Sequence, residues 1–421
     1  LRAVLANPLT TEADIQAVLA EQLKLGAQLE QEATGLFDLF AERVLCSPQA
    51  TALYVGDVAI SYARLAEKVT RISHHLRRAQ IAAGTVVGLA AERSEAYVAG
   101  MLAIIQVGAC FMPLDPSYPL ERLRYMLTDS AAPLVLVDAK GAAALESLDA
   151  HCLRVDFWLA DSAACALDLS AVKRAPEDPL YVMYTSGSSG DAKGVVGLQG
   201  ATLNRLQWMW RQYPYGRDEV CCLKTSPSFV DSIGEILGPL LAGTPSVIAT
   251  DADLQTPATL VALLECRRVT RVLLLPSLLA SLLNTPLNLA ERLPHLWLWI
   301  LSGEAVPTQL AADFRIRLPQ GTLLNLYGST EVAADVTYWS LSPGQALPAT
   351  ATLPIGLPID QVQLYLLDEQ QQTVAQGQEG ELYVAGAALA EGYLHRPELT
   401  AARFVYLPQV AAERLFRTGD R

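Results

Sequence analysis

Between Leu36 and about Thr350 the sequence alternates short apolar runs with stretches of helical periodicity, and few folds accommodate such an alternation. A helix is read from Ser61 through SYARLAEKVTRISHHLRR, followed by the run VVGLAAERS and a second helix through MLAIIQVGA that FMPLDPSYP ends. Farther on, a helix from Ala201 to Tyr213 precedes the run PSVIAT, the helix TPATLVALLECRR and the run RVLLLP. The helix SLLASLL, the run LWLWILSG, the helix PTQLAADFRIRL and the run TLLNL complete the series. Strands and helices in alternation build an α/β fold whose mostly parallel sheet is covered by helices. In such sheets ligands sit beyond the carboxyl ends of the strands, so the loops found there are the places to look for chemistry. After about Thr350 the text turns to Gly- and Pro-punctuated strands, which predicts a small β-rich subdomain over 351–421. Residues 1–35 are rich in Leu, Ala, Glu and Gln at helical spacing and read as a helical linker. The first residue is not Met, so the chain is expected to be a piece of a larger one.

One loop stands out. In YVMYTSGSSGDAKGVV, Tyr181 to Val196, an apolar strand empties into an unbroken hydroxyl-or-glycine run from Thr185 to Gly190, and Lys193 closes it. Such a loop offers backbone N–H groups, hydroxyls and one cation to a polyphosphate. It is not a Walker loop, because Lys193 is followed by Gly194 and no Gly-Lys-Ser/Thr appears. A shorter Ser/Gly run would be read as an ordinary turn; here strand, run and lysine coincide.

Bulk properties narrow the partner. The chain has 421 residues, enough for two or three packed units, and 51% hydrophobic residues against 18% charged describe an ordinary core. A net charge of -13 leaves no excess of Lys and Arg to replace the counterions of a nucleic acid or an anionic membrane. Seven cysteines at irregular spacing form neither a disulfide framework nor a CxxC pair, and read as reduced core residues of a cytoplasmic protein. The five histidines show no metal-ligand spacing, and no apolar run approaches ~20 residues. The tryptophan pairs Trp208/Trp210 and Trp297/Trp299 read as packing residues.

Two more loops can carry chemistry. In YGSTE, Tyr327 offers a flat ring, Thr330 a hydroxyl and Glu331 a carboxylate, the set a nucleotide and its Mg²⁺ require. Alone, the same loop could be a polar turn in which Thr330 caps a helix. Asp420, in TGD, could accept hydrogen bonds from ribose hydroxyls or serve as a turn residue.

Together these pieces resemble a known family. YTSGSSGDAKGVV, SGEA, NLYGSTE, GELYVAGAALAEGYLHRPELTAARF and FRTGDR resemble the ordered motifs of the adenylate-forming (acyl-CoA synthetase/luciferase-like) superfamily. ISYARL and LAIIQVGACFMPLDPSYP resemble more specifically the adenylation domains of nonribosomal peptide synthetases, and the likeness runs from Leu36 to Arg421. Ser189, Ala192 and Ser329 depart mildly from the usual residues. The resemblance implies two stacked α/β layers over 36–350 and a barrel-like β subdomain over 351–421. It also implies a small C-terminal subdomain bearing a catalytic lysine. The sequence ends at Arg421, before such a subdomain, so the chain is expected to bind its substrates and to be impaired in catalysis.

The chemistry implied is attack of a carboxylate on the α-phosphate of Mg·ATP, with pyrophosphate leaving and an acyl-adenylate remaining. Positioning and charge stabilisation are what such a reaction asks of a protein. By the same resemblance Thr185, Ser186, Gly187, Ser188, Ser189, Gly190 and Lys193 hold the pyrophosphate. Thr330, with Gly328 and Ser329 beside it, takes the α-phosphate, and Glu331 takes the magnesium. Tyr327 stacks on adenine, the backbone around Gly303 and Glu304 borders it, and Asp420 holds the ribose. Thr330, Glu331 and Lys193 are the expected catalytic residues. The partners implied are a carrier protein bearing phosphopantetheine and neighbouring synthetase domains.

The acid to be activated is read from the segment after the loop. In the α-amino-acid domains this chain resembles, that segment reads Phe-Asp-x-Ser and its Asp pairs with the substrate ammonium. Here it reads Phe229, Val230, Asp231, Ser232, which would leave an α-ammonium buried and unpaired at a cost of several kcal/mol. The remaining pocket positions implied are Gly234, Ile300, Ser302, Leu326, Ala334 and Asp335. Two facing carboxylates, Asp231 and Asp335, raise one another's pKa unless a cation lies between them. A displaced ammonium meets that need, and the pattern resembles domains that activate β-alanine; a small β-amino acid is therefore the expected substrate. An α-hydroxy or α-keto acid, or a freestanding acyl-CoA ligase, is the alternative reading.

Overall fold

The structure, a computed structural model, describes residues 35–155, 166–186 and 192–421. The expected linker and the loop residues Gly187, Ser188, Ser189 and Gly190 lie outside the described residues, apart from Gly35.

In chain order, β1 (Thr51–Val55) and β2 (Val58–Ser61) form a hairpin. β3 (Val86–Ala90), β4 (Cys110–Pro113), β5 (Val135–Val137) and β6 (Cys152–Arg154) follow, then β7 (Pro179–Ser186) and β8 (Ala192–Leu198). Next come β9 (Cys221–Leu223), β10 (Ser246–Ile248), β11 (Arg271–Leu274), β12 (Leu298–Leu301) and β13 (Thr322–Tyr327). The last seven are β14 (Thr337–Leu341), β15 (Leu357–Pro358), β16 (Val362–Leu367), β17 (Glu381–Gly386), β18 (Gly392–Tyr393), β19 (Phe404–Tyr406) and β20 (Arg414–Arg417).

These strands make three sheets. One has nine strands in the order β15-β14-β13-β12-β11-β9-β10-β1-β2, parallel from β13 to β1 and antiparallel at its edges. A second has seven strands, β18-β8-β7-β4-β3-β5-β6, parallel from β7 to β6. The third is the antiparallel sheet β16-β17-β20-β19. The α/β class and the two layers thus match the expectation. The strand-rich tail is not self-contained, since β15 joins the nine-stranded sheet and β18 the seven-stranded one.

Helices between the two large sheets contribute to the largest apolar cluster among the described residues. In Tyr62–Arg78, the residues Tyr62, Leu65, Ala66, Val69, Ile72 and Leu76 are buried, a stripe at helical spacing. Ser61 caps this helix by accepting a hydrogen bond from the Arg64 amide, one of the orphan donors of its first turn. Helix Glu95–Gln106 is buried almost all round, which is why its sequence lacks a polar face. It packs with helix Asp231–Ala242 in one apolar cluster that draws Leu53 and Ile248 from one large sheet and Leu89 and Phe111 from the other. The buried Tyr62 hydroxyl donates to the Leu240 carbonyl at 2.6 Å and ties two of these helices together. Among the described residues, no helix is long and apolar enough to cross a membrane. The cysteines among them are all unpaired; Cys110, Cys221 and Cys222 are buried, but Cys46 and Cys266 are exposed, unlike the core residues expected.

The pairing of β7 with β8 includes one close approach that requires a glycine. Gly197 pairs with Tyr181, and a Cβ at Gly197 would stand 2.0 Å from the Tyr181 ring, which is fully buried. Gly197→Ala is therefore expected to cost about 1–3 kcal/mol through overpacking. Calorimetry would register this as a fall of several degrees in Tm; an unchanged Tm would mean that the ring can retreat.

Candidate active site

The carboxyl ends of β7, β9, β11, β12 and β13 open on one cleft of about 1060 Å³ between the two large sheets. Thr185 and Lys193 enter from the β7–β8 hairpin, and Ser302 and Gly303 from the end of β12. Gly328, Ser329, Thr330 and Glu331 come from the end of β13, with Ala334 just beyond. Phe229, Val230 and Asp231 stand at the start of helix Asp231–Ala242. Loops far apart in the sequence thus meet because each follows a strand that ends on the same rim.

The loop after β13 is tightly wound. Thr330–Val332 form a 3-10 turn, and Ala333 and Ala334 follow at φ 56° and 81°, a left-handed conformation that L residues rarely adopt. The chain then doubles back so closely that a Cβ at Gly328 would lie 2.0 Å from the Ala334 carbonyl oxygen. Strain of this kind persists only where the surroundings hold it, and it collects at functional sites.

Lys193 and Glu331 meet in the cleft. The Lys193 amine donates to Glu331 Oε1 at 2.9 Å and to the Tyr393 hydroxyl at 2.9 Å, while that hydroxyl donates to the same Glu331 oxygen at 2.8 Å. Burial works against the Glu331 charge, but the Lys193 charge and the two hydrogen bonds prevail and hold its carboxyl below the usual range. Burial and the Glu331 charge push the Tyr393 phenol up, so it stays a neutral donor. Among the described residues no group of three His, Cys, Asp or Glu could enclose a metal ion. Glu331 still suits Mg²⁺, which is ordinarily held by one or two carboxylates plus phosphate oxygens and waters. Its Oε2 takes none of these side-chain bonds.

Several polar atoms in the cleft are buried without a hydrogen-bond partner among the described residues. They include Thr185 Oγ1, Ser329 Oγ and Asp231 Oδ1. Such atoms are costly in a dry interior, and a polar ligand that reaches them removes the cost. The Tyr327 hydroxyl donates to Asp420, so the residues expected at the base and at the ribose are joined. Burial and that hydrogen bond push the Tyr327 phenol up. Glu304 is engaged elsewhere: it accepts from the Ser277 amide at 3.0 Å and the Ser277 hydroxyl at 2.9 Å, at the start of helix Pro276–Leu283. Ser186 ends β7 opposite Ala192.

The expected substrate residues divide into two groups. Phe229, Val230, Asp231, Ser302 and Ala334 line the cleft, whereas Gly234 and Ile300 line a separate void of about 40 Å³ behind it. Leu326 is packed in the core, and Asp335 is fully buried. The two acids are not left without a cation, as the sequence had suggested: the Arg205 guanidinium donates to Asp335 Oδ2 from Nε at 2.9 Å and from Nη2 at 2.6 Å. Asp231 keeps one free oxygen, and burial, reinforced by Asp335, pushes its carboxyl up to about 7 against the opposing pull of Arg205. Sequence reasoning missed Arg205, Tyr393 and the buried Lys224, which also lines the cleft. Arg205 was findable, because it falls at the buried spacing of Ala201, Trp208 and Met209 in its helix.

With Lys193 removed, Glu331 would be a nearly buried carboxylate with only a phenol beside it. Lys193→Met is expected to cost on the order of 3 kcal/mol near neutral pH. Because the Glu331 pKa is depressed in the native protein, the pair contributes above about pH 4.5 and fades as pH falls through the native value. The gap in Tm between the two proteins should therefore shrink on acidification from pH 7 to pH 4; a gap that did not depend on pH would refute the ion-pair account.

The chain resembles known proteins in sequence and in fold. Residues 40–394 match the family of AMP-binding enzymes. The chain is 36% identical over 402 residues to vanchrobactin synthetase VabF of Vibrio anguillarum, across 92% of this chain but 14% of that protein. It is similar to the AMPPNP-bound crystal structure of FmoA3, a nonribosomal peptide synthetase, with a TM-score of 0.82 and 27% identity over 92% of this chain and 41% of that one. It is also similar to the Klebsiella oxytoca NpsA N-terminal subdomain in complex with 3-hydroxybenzoyl-AMSN, with a TM-score of 0.81 and 25% identity over 92% of this chain and 96% of that one.

Proposed function

The chain belongs to the AMP-binding enzymes, and from that premise we propose that it activates a small β-amino acid, β-alanine or an α-methyl relative, as the acyl-adenylate for a nonribosomal peptide synthetase. The observation that carries the finer reading is the free oxygen of Asp231, a buried carboxylate at the cleft whose neighbour Asp335 already has its cation. Val230 stands where an α-ammonium would seek an acid, so the ammonium that Asp231 can take lies one carbon farther from the carboxylate.

In this reading the substrate carboxylate oxygen attacks the α-phosphorus of ATP, the bond to the bridging oxygen breaks, and pyrophosphate leaves with the electron pair. Thr185 and Lys193 receive the leaving phosphates, and Thr330 and the unpartnered Ser329 hydroxyl receive the α-phosphate. To do so Lys193 shares itself between Glu331 and the phosphates, which the Tyr393 hydroxyl eases by remaining on Glu331. A magnesium ion on Glu331, when bound, supplies positive charge to the phosphate oxygens. Tyr327 and Asp420 hold the nucleoside. The adenylate would pass to the phosphopantetheine of a carrier protein in the same assembly, the class of protein in which its relatives occur.

A second reading has its own support. A carboxyl raised to about 7 is largely protonated in mild acid and can donate a hydrogen bond, which suits an α-hydroxy or α-keto acid that brings no charge. pH separates the two. An ammonium ligand must find Asp231 ionised, so the affinity of β-alanyl-sulfamoyl adenosine should rise about tenfold between pH 6 and pH 8. A 2-hydroxyacyl analogue should bind no better at pH 8. Tighter binding of the hydroxyacyl form than of the β-alanyl form at pH 8 would remove the β-amino acid reading and leave the adenylation chemistry in place.

The same group sets a stability signature. Its native pKa lies above the ordinary carboxylate value, so its contribution is intact below about pH 4 and is lost as pH rises through about 7. Asp231→Asn is accordingly expected to raise Tm relative to the unsubstituted chain at pH 8 and to do so less at pH 5. Thermal melts at the two pH values check this.

A further inference from the structure

Arg205 projects from helix Gln199–Gln212 into the small void behind the cleft, where Gly234 and Ile300 also lie, and its side chain is almost fully buried. The room it occupies is made by Gly234: a Cβ there would lie 2.7 Å from Arg205 Nη1 and 3.0 Å from its Cζ. Gly234 therefore serves the guanidinium rather than the substrate. Asp335 is saturated by protein donors, with Oδ2 taking the Nε and Nη2 fork and Oδ1 taking the Ser302 hydroxyl at 3.3 Å. Asp231 lies near enough for Arg205 and Asp335 both to act on it, yet its Oδ1 has no partner among the described residues and the residue lines the cleft. One guanidinium thus serves two carboxylates, and it is committed to the one that does not face the ligand.

We infer that Arg205 is a specificity-determining positioning residue: as an internal counter-cation it withdraws Asp335 from the substrate, so that the pocket accepts one ammonium group and excludes acids that carry two. This inference rests on the proposed function for the identity of the ligand class. The argument is one of charge count. A second ammonium would find no free carboxylate, because Asp335 is taken by the guanidinium, and it would feel the guanidinium charge that also acts on Asp231. Without the guanidinium, two buried carboxylates would face the ligand, and a second positive charge would become the way to neutralise them.

The test compares calorimetric binding of β-alanyl-sulfamoyl adenosine with that of 2,3-diaminopropionyl-sulfamoyl adenosine to the full chain, with adenosine 5′-sulfamate as a check on the nucleotide site. The unsubstituted chain should prefer the β-alanyl form at least tenfold. Arg205→Met should abolish or invert that preference, and adding Asp335→Asn to it should restore the preference, a rescue that a role in packing alone does not predict. Arg205→Lys, which keeps one cation, should retain the preference. If Arg205→Met fails to bind adenosine 5′-sulfamate, Gly234→Ala provides the second route. It displaces the guanidinium without removing it and should move the ratio in the same direction. Equal weakening of both analogues in the Arg205 and Gly234 variants, with the ratio unchanged, would overturn the inference. Failure of the unsubstituted chain to prefer β-alanyl over L-alanyl would instead overturn the proposed substrate, and the response of the mono- to diamino ratio to Arg205→Met would still decide the role of Arg205.

Discussion

The ion pair between Lys193 and Glu331 is the contact on which the site's geometry depends, because it joins the two large sheets where their strands end. Lys193 belongs to β8 of the seven-stranded sheet, and Glu331 to the turn that follows β13 of the nine-stranded one. Tyr393, from β18, closes the triangle through a hydroxyl that bonds to both. A pair as buried as this repays its desolvation only when the remaining donors and acceptors are also satisfied, and the phenol does that. The pair also holds charge in readiness. Lys193 reaches the rim already positioned by Glu331, so on the proposed function an incoming polyphosphate would meet an ordered cation rather than a mobile one.

Around that fixed point the cleft carries deliberate costs. The left-handed Ala333 and Ala334, the close approach of Gly328 to the Ala334 carbonyl and the unpartnered Thr185 and Ser329 hydroxyls all lie within the segments that the ion pair joins. Each is unfavourable in isolation. The core that offsets them is elsewhere, in the helices packed between the sheets, where Leu65, Val69, Leu102 and Leu237 are buried without a polar atom to satisfy. Stability and chemistry are therefore divided between the middle of the molecule and its rim.

Much of this was legible in the sequence, for identifiable reasons. Helices and strands could be read because their burial is periodic or uniform, as in Tyr62–Arg78 and in β11 to β13. The residues that share the cleft could be read because they follow strands, and strand ends define the rim. Side-chain partnerships across the sheets could not. Nothing near Lys193 in the chain announces Glu331, 138 residues later, or Tyr393, 200 residues later. Nor does the motif of Glu304 announce that its carboxylate accepts two hydrogen bonds from Ser277. Which sheets the strands of 351–421 join could not be read, because strand pairing, unlike strand propensity, is decided by distant partners.

The pocket shows how one unread partnership changes an electrostatic argument without reversing it. From the sequence, Asp231 and Asp335 formed a pair in want of one cation. With Arg205 present the cluster of three has a net charge of -1 when all are ionised, so the want persists but is now confined to Asp231. Burial then leaves that carboxyl two ways to become tolerable, by taking a proton or by taking a ligand cation. The proton is the less specific of the two, since solvent supplies it at any site. A ligand ammonium must displace it and so binds with a cost that falls as pH rises, while a neutral acid has no such cost and no such gain. On the proposed function, selectivity is consequently a contest between a proton and a substrate for the same oxygen, with Arg205 keeping Asp335 out of it.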